Sequence, residues 1–320
     1  MQNNLMTTMP RFIAVGLLLL CFHLVPQAQN DSLRAFLPEL FAGLPNVRDM
    51  AISPDGKEMF FTVESYKKEF SAVFTSLKKG KKWSEPQVAN FSGEFRDLEP
   101  AFSPDGLRLF FVSARPLSAA SKEAKDYDLW YLERKAMGES WSAPMHAGPM
   151  VNTKEDEFYP SIAANGNLYF TRQTPDATPH EDIWVCEWKE NQWQAARQLG
   201  AGVNTLGSEY NAFVAPDESY LVFGAYKRPG DQGGGDLWVS QRDAKGLWSA
   251  AKPMPLPINS PRIDFCPFVE ASTGLLYFTT ERSEIPKQMP RKMSTAELLT
   301  RMKTPANGLE RVFCIPFKLP

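Results

Sequence analysis

Four acidic residues stand at matching places along the chain: Asp97, Glu157, Glu209 and Asp264. They lie in Glu94-Phe-Arg-Asp-Leu-Glu99, Asn152-Thr-Lys-Glu-Asp-Glu-Phe158, Asn204-Thr-Leu-Gly-Ser-Glu-Tyr210 and Asn259-Ser-Pro-Arg-Ile-Asp-Phe265, and Asp49 falls near the corresponding place at the start of the chain. Carboxylates gathered in space bind a cation such as Ca²⁺, which prefers oxygen ligands. They also grip basic or polyhydroxyl ligands, and two of them at a suitable separation are all that glycoside hydrolysis requires. Repetition has a structural explanation as well, because each Asn-Thr…Glu loop must satisfy its own backbone donors. No other catalytic constellation is legible. The only His residues beyond His23 are His146 and His180, and the chain holds no Gly-x-Ser-x-Gly, His-Glu-x-x-His or Cys-x-x-Cys. Gly230-Asp-Gln-Gly-Gly-Gly235 is rich in glycine but is not placed between a strand and a phosphate-binding helix, so it reads as a flexible loop.

Each acid precedes a hairpin signal. Leu98-Glu-Pro-Ala-Phe-Ser-Pro-Asp-Gly-Leu-Arg-Leu-Phe-Phe-Val-Ser113 is two strand-like runs around a Ser-Pro-Asp-Gly turn, in which Pro presets φ and Gly tolerates φ > 0. Ala51-Ile-Ser-Pro-Asp-Gly-Lys-Glu-Met-Phe-Phe61 nearly repeats it, and looser copies begin at Pro160, Ala212 and Pro267. The turn residues Asp55, Asp105, Asn165, Asp217 and Thr273 fall 50, 60, 52 and 56 residues apart, a spacing that marks a repeat architecture. A third strand follows at Ala72-Val-Phe-Thr75, Asp128-Leu-Trp-Tyr131, Asp182-Ile-Trp-Val185, Asp236-Leu-Trp-Val239 and Arg311-Val-Phe-Cys314. Trp130, Trp184 and Trp238 are large enough to fill space between sheets. A fourth is expected at Trp83, Trp141, Trp193 and Trp248, where the nearby Pro suits an outer edge. Four antiparallel strands repeated radially make an all-β fold, a β-propeller. The last repeat lacks a fourth strand, and Phe36-Leu-Pro-Glu-Leu-Phe41 lies where one would precede the first hairpin. This N-terminal strand is expected to complete the last blade, which removes the open sheet edges and gives five blades, with six as the rival count.

The hairpin and third-strand motifs, Pro100-Ala-Phe-Ser-Pro-Asp-Gly106 with Leu109-Phe-Phe-Val-Ser113 and Asp182-Ile-Trp-Val185 with its relatives, resemble the WD40-like propeller repeat of the TolB-like proteins of bacterial envelopes. The resemblance covers residues 36–320. The turns at Ala163-Ala-Asn-Gly166, Ala215-Pro-Asp-Glu218 and Ala271-Ser-Thr-Gly274 depart from the pattern. What the resemblance implies is a secreted or periplasmic binding scaffold whose partner is an envelope protein or a glycan. It implies no activity, because fold does not fix function.

The ends and the composition frame this reading. Met1 to Ala28 carries Arg11 as its only charge and an apolar run from Phe12 to Val25, short for a membrane span. It reads as a secretory signal peptide cut after Ala28, leaving residues 29–320 as one domain in the periplasm or outside the cell, with no stable membrane span. Leu20 before Cys21 does not suit a lipoprotein signal. The formal net charge of −2 provides no basic excess to hold nucleic acid and no polybasic membrane patch. Cys186, Cys266 and Cys314 fall in expected strands and suit no zinc motif, so buried thiols are expected. No cofactor is implied beyond Ca²⁺. The loops between second and third strands are long and varied, and the last, residues 283–308, holds a helix signalled by the capping box Ser294-Thr-Ala-Glu297. Sites favour such loops on a rigid scaffold, so the face that carries them, with the acids at the channel mouth, is where a ligand is expected.

Overall fold

The computed structural model describes residues 32–118, 120–121, 123–174 and 180–319, so the leader lies outside the described residues. Five four-stranded antiparallel sheets form the blades of a propeller. The inner strands are Asn46–Ile52, Asp97–Phe102, Asp156–Ile162, Ser208–Val214 and Asp264–Glu270. The second strands are Glu58–Glu64, Arg108–Ser113, Leu168–Thr174, Tyr220–Tyr226 and Leu275–Thr280, and the third are Ser71–Lys79, Asp128–Glu133, His180–Cys186, Asp236–Gln241 and Arg311–Pro316. Buried apolar side chains gather into clusters at the five seams between neighbouring blades rather than in one central core. Successive strand residues point to opposite faces of a blade, so each blade contributes to two seams and reads as a nearly continuous apolar run.

The hairpin turns form as their chemistry dictates. In the first two blades the Ser hydroxyl and the next backbone N–H but one both reach the turn Asp, and Gly56 and Gly106 take φ of 69° and 70°. The fourth turn places Glu218 at φ 57°, where Gly is favoured. That conformation is held because the Glu218 carboxylate accepts from Tyr169, Asn165, Asn167 and Arg242.

The fourth strands lie farther along than the Trp landmarks suggest. They are Gln87–Val88, Met145–His146, Arg197–Gln198 and Lys252–Pro253, two residues each. Trp83 and Trp193 instead sit in small two-residue hairpins, Lys82–Trp83 against Lys78–Lys79 and Gln192–Trp193 against Trp188–Lys189. Trp193 packs on Phe110 and Tyr131 of the preceding blade, and Trp248 on Tyr169. The remaining edge of the third strand is completed by a side chain. Asn152, Asn204 and Asn259 each accept from and donate to one residue of that strand, Leu129, Ile183 and Leu237, at 2.8–3.1 Å. An amide side chain thus stands in for a ladder rung.

Ring closure uses the N-terminal segment, two residues earlier than expected. Arg34–Ala35 pairs with Cys314 and Phe313 as the outer strand of the last blade. Leu37 then turns left-handed at φ 43°, and Pro38–Phe41 forms one helical turn. Pro38 has no N–H for a ladder, which ends the strand. Phe41 wedges between the last and first blades, 5.0 Å from the Phe61 ring, beside Phe36 on Tyr277. Phe41→Ala is expected to lower unfolding free energy by about 3–5 kcal/mol in chemical denaturation, by opening a cavity at the closing seam.

Candidate functional site

The four sequence-marked acids are fully buried, and each is locked within the wall of the ring. Asp97 accepts from Ser92, Ser113 and Arg115 at 2.6–2.8 Å. Glu157 accepts from the backbone and hydroxyl of Thr153 and from Arg172 at 2.8 Å. Glu209 does the same with Thr205 and Arg228, and Asp264 with the Ser260 N–H and Arg282. Each arginine also lies over an aromatic ring of the third strand: Trp130, Trp184, Trp238 or Phe313, at 4.5–5.5 Å. Burial pushes the Glu157 carboxyl up to about 7 against the opposing pull of Thr153 and Arg172, and raises Glu209 and Asp264 too. None of the four lines the central cavity. The acid–arginine–aromatic stack joins loop, inner strand and third strand, so the structural explanation of the repeat is the one this geometry supports.

Asp49 does not belong to that set. Val47, opposite Val63, takes the first blade's place for the acid, and Asp49 stands two residues on. There the strand registers shift in all five blades. The residues at the shift are Asp49, Glu99, Tyr159, Asn211 and Cys266, all at φ between 48° and 58°. Five side chains with left-handed backbone at one level are a local strain that the surroundings must hold in place. Part of the hold is visible. The N–H groups of Glu99, Asn211 and Asp49 each donate to a threonine of the preceding blade, Thr62, Thr171 and Thr279. The second blade has Val112 at that register, which cannot accept, and the Tyr159 N–H turns instead to the Glu99 carboxylate at 2.6 Å.

Most polar atoms of the ring find partners within it, Asp49 Oδ2 being left without one among the described residues. Arg48 donates to Asp49 at 2.7 Å and Glu99 at 2.9 Å, approaches the Cys266 sulfur at 3.5 Å and lies over Phe265. Asn211 donates to Glu99, and the Tyr159 hydroxyl to the Pro267 carbonyl at 2.9 Å. Asp49, Glu99 and Cys266 present ligand atoms within 4.8 Å of one another. The Arg48 guanidinium already sits among them as a resident cation, and a thiol with two carboxylates is a poor match for the six to eight oxygens Ca²⁺ takes. Burial and the neighbouring Asp49 push Glu99 up to about 8, and burial raises the Cys266 thiol and the Tyr159 phenol. Toward the closing seam, burial lifts the Glu64 carboxyl to about 7 against the pull of Arg48, with the neighbouring Glu310 and Asp49 adding to the rise, while Glu310 accepts from Lys68 at 2.6 Å. All three described cysteines are free and buried.

On the turn side of this ring lies a cavity of about 170 Å³. Met50, Pro100, Pro160, Pro267, Phe213 and Phe268 wall it, and Glu99 and Tyr159 close its floor. Its lining reaches Pro54, Pro104 and Ser272 in the hairpin turns, so it belongs to the face opposite the long loops, where the sequence reading had placed a ligand. The ring and its cavity were missed because they lie at the one position that fails to repeat. Asp, Glu, Tyr, Asn and Cys alternate two residues after a recurring motif, often followed by Pro, and that irregularity is the signal that marks them.

No family model and no curated protein matches the chain. Solved structures do. A complex of BT0996 with RGII is matched at 8% identity and a TM-score of 0.52, over 86% of this protein and 88% of that one. A protein described as a putative TolB from Agrobacterium tumefaciens is matched at 13% identity and 0.48 over 85% and 91%, and an α-L-arabinofuranosidase from Lactobacillus brevis at 11% and 0.49 over 87% and 93%. At such identities the likeness is one of fold. With its own five four-stranded blades, the chain is a β-propeller.

Two outcomes follow from the buried charges. Arg172→Ala leaves Glu157 buried without its cation and is expected to cost about 3–5 kcal/mol of stability in urea unfolding. Glu64 is raised from about 4.5 to about 7 on folding. Its contribution is therefore complete below about pH 4.5 and is lost as pH rises through about 7, at up to about 1.4 kcal/mol per pH unit. Glu64→Gln is expected to flatten the decline in thermal midpoint between mildly acidic and mildly alkaline buffer, and an unchanged profile would assign that decline to other groups.

Proposed function

We propose that the chain is a non-catalytic binding propeller of the cell envelope, periplasmic or extracellular, that takes an apolar group of its ligand into the central cavity. The observation that carries this reading is the division of labour in the channel. Most of its polar groups are spent on one another, and the space left open has mainly apolar walls. A cavity of this size matches those that admit a benzene-sized group. The side chain of an envelope protein, or one ring of a small ligand, meets that requirement. The leader-like N-terminus supports an envelope location, and among the described residues no helix is long and apolar enough to cross a membrane.

Glycoside hydrolysis is the weaker reading. Asp49 and Glu99 do sit in different environments, as an acid–base pair requires. Arg48 bridges both, however, and the Glu99 oxygens also accept from Asn211 and the Tyr159 N–H. Sugar hydroxyls placed against the proline and phenylalanine walls would lose water for few partners, since Ser53 and Ser103 are already bonded to their turn aspartates.

A ligand that binds only the folded state raises the melting temperature by mass action. Benzene or indole is expected to raise the midpoint of the native chain, with the gain reduced in Ala271→Trp, which adds bulk at the mouth of the cavity. Release of reducing sugar from arabinan or pectic oligosaccharides, abolished by Glu99→Gln, would replace this reading with the hydrolase.

A further inference from the structure

The insertion between the second and third strands of the last blade has a fixed base and an uncovered tip. Ser283 bridges Asn307, the Glu284 N–H donates to Ala306 at 2.9 Å, and Ala306 is buried in the seam with the fourth blade. At the tip, Thr295–Met302 is a helix of eight residues closed by the Ser294–Glu297 capping box, and none of its residues is buried. A helix this short is marginal in water and normally relies on packing of its apolar stripe. Here the stripe is Leu298, Leu299 and Met302, which share one face by their three- and four-residue spacing. Leu299 and Met302 are each 48% exposed. At 100° per residue, Arg301 falls on one flank of that stripe and Lys303 on the other, while Glu297 and Thr300 lie behind. Tyr66, 69% exposed on the neighbouring loop of the first blade, lines a cleft together with Met302 and extends the apolar edge.

Charge indicates what covers this edge. The insertion carries Lys287, Arg291, Lys292, Arg301 and Lys303, all exposed, against Glu284 and Glu297. Glu297 is already occupied by the cap and by Arg291. The chain as a whole is acidic, so this is a local excess that the overall composition conceals. An apolar stripe flanked on both sides by long basic side chains is the pattern of a helix lying in a membrane interface, with the basic heads reaching lipid phosphates. We propose that residues 283–308 form a peripheral contact with an anionic lipid surface, seating Leu299, Met302 and Tyr66 at the headgroup level with Arg301 and Lys303 on phosphates. This contact is separate from the central cavity and does not depend on what binds there.

The test is cosedimentation of the full chain with vesicles of phosphatidylglycerol and phosphatidylcholine, and with vesicles of phosphatidylcholine alone. Binding is expected to the anionic vesicles only and to weaken as salt is raised. Arg301→Glu with Lys303→Glu, and separately Leu299→Ser with Met302→Ser, are each expected to weaken it about tenfold or more, with melting temperatures unchanged because all four side chains are exposed. Comparing variants in the same chain cancels any binding by the apolar run at residues 12–25. Absence of binding to anionic vesicles, or equal binding by native chain and both double variants, would overturn the proposal. So would a concentration-dependent dimer in light scattering that Leu299→Ser with Met302→Ser abolishes, which would make the edge a contact between copies.

Discussion

Five inner strands converge on one axis, and in four of them the backbone N–H at the bulge turns to a side chain of the neighbouring blade instead of a ladder partner. The rest of the centre answers that constraint. Every inner strand bulges at the same level, and the bulged residue turns left-handed. Three of the five N–H groups find a threonine hydroxyl on the preceding blade. A fourth finds the Glu99 carboxylate, because Val112 offers nothing. A buried amide left without an acceptor costs about 1–3 kcal/mol, and where Val112 stands in place of threonine the Glu99 carboxylate supplies the missing acceptor. That carboxylate in turn demands a cation, and Arg48 supplies it from the first blade. The charged centre of this molecule can therefore be derived from backbone accounting before any ligand is invoked.

The same logic explains why the outer acids repeat while the inner ring does not. Asp97, Glu157, Glu209 and Asp264 perform one task in four blades: each receives loop donors and an arginine that caps an aromatic ring. One task gives one residue type. The inner ring has five members meeting at one axis, where five copies of any charged residue would repel and five copies of any large residue would clash. It therefore has to be assembled from unlike parts. The first blade is the odd one in both sets, with Val47 replacing the outer acid and Arg48 entering the ring. It is also the blade that meets the chain's return at the closing seam, where the Val47 N–H donates to the Glu310 carbonyl at 3.1 Å.

This contrast fixes how far the sequence could be read. Blade number, hairpin turns, the closing role of the N-terminus, the insertion helix and the buried cysteines are all local chemistry repeated at a regular spacing, and they are legible from residue types alone. The fourth strands were displaced because Trp83 and Trp141 are more conspicuous than the two-residue ladders that follow Pro86 and Pro144. The closing strand was displaced because Phe36 to Phe41 carries the apolar signal while Arg34–Ala35 makes the hydrogen bonds. The acids recur at one place in four blades and are each buried against a loop and an arginine, while a strand's alternation does not reveal where a bulge intervenes. The ring residues stand two places after the acids, at the one extra residue that each inner strand carries.

A centre in which Glu99 is so heavily engaged has a consequence for what such a propeller can do. Catalysis by carboxylates needs an oxygen free to take or give a proton in reach of a substrate. Here desolvation favours the neutral form of Glu99, Arg48 favours the charged form, and both of its oxygens are already engaged. Freeing one of them would leave the Tyr159 N–H buried without its acceptor, and freeing the other would take Glu99 from Arg48 and Asn211, so reactivity and the fold's own integrity compete for the same atoms. The apolar cavity beside the ring is under no such obligation. Its walls are prolines, phenylalanines and a methionine whose backbone needs are met elsewhere, and occupation by an apolar group displaces water without breaking a bond the propeller depends on. In this molecule the floor is built to stay closed, and the space next to it is what remains open to a ligand.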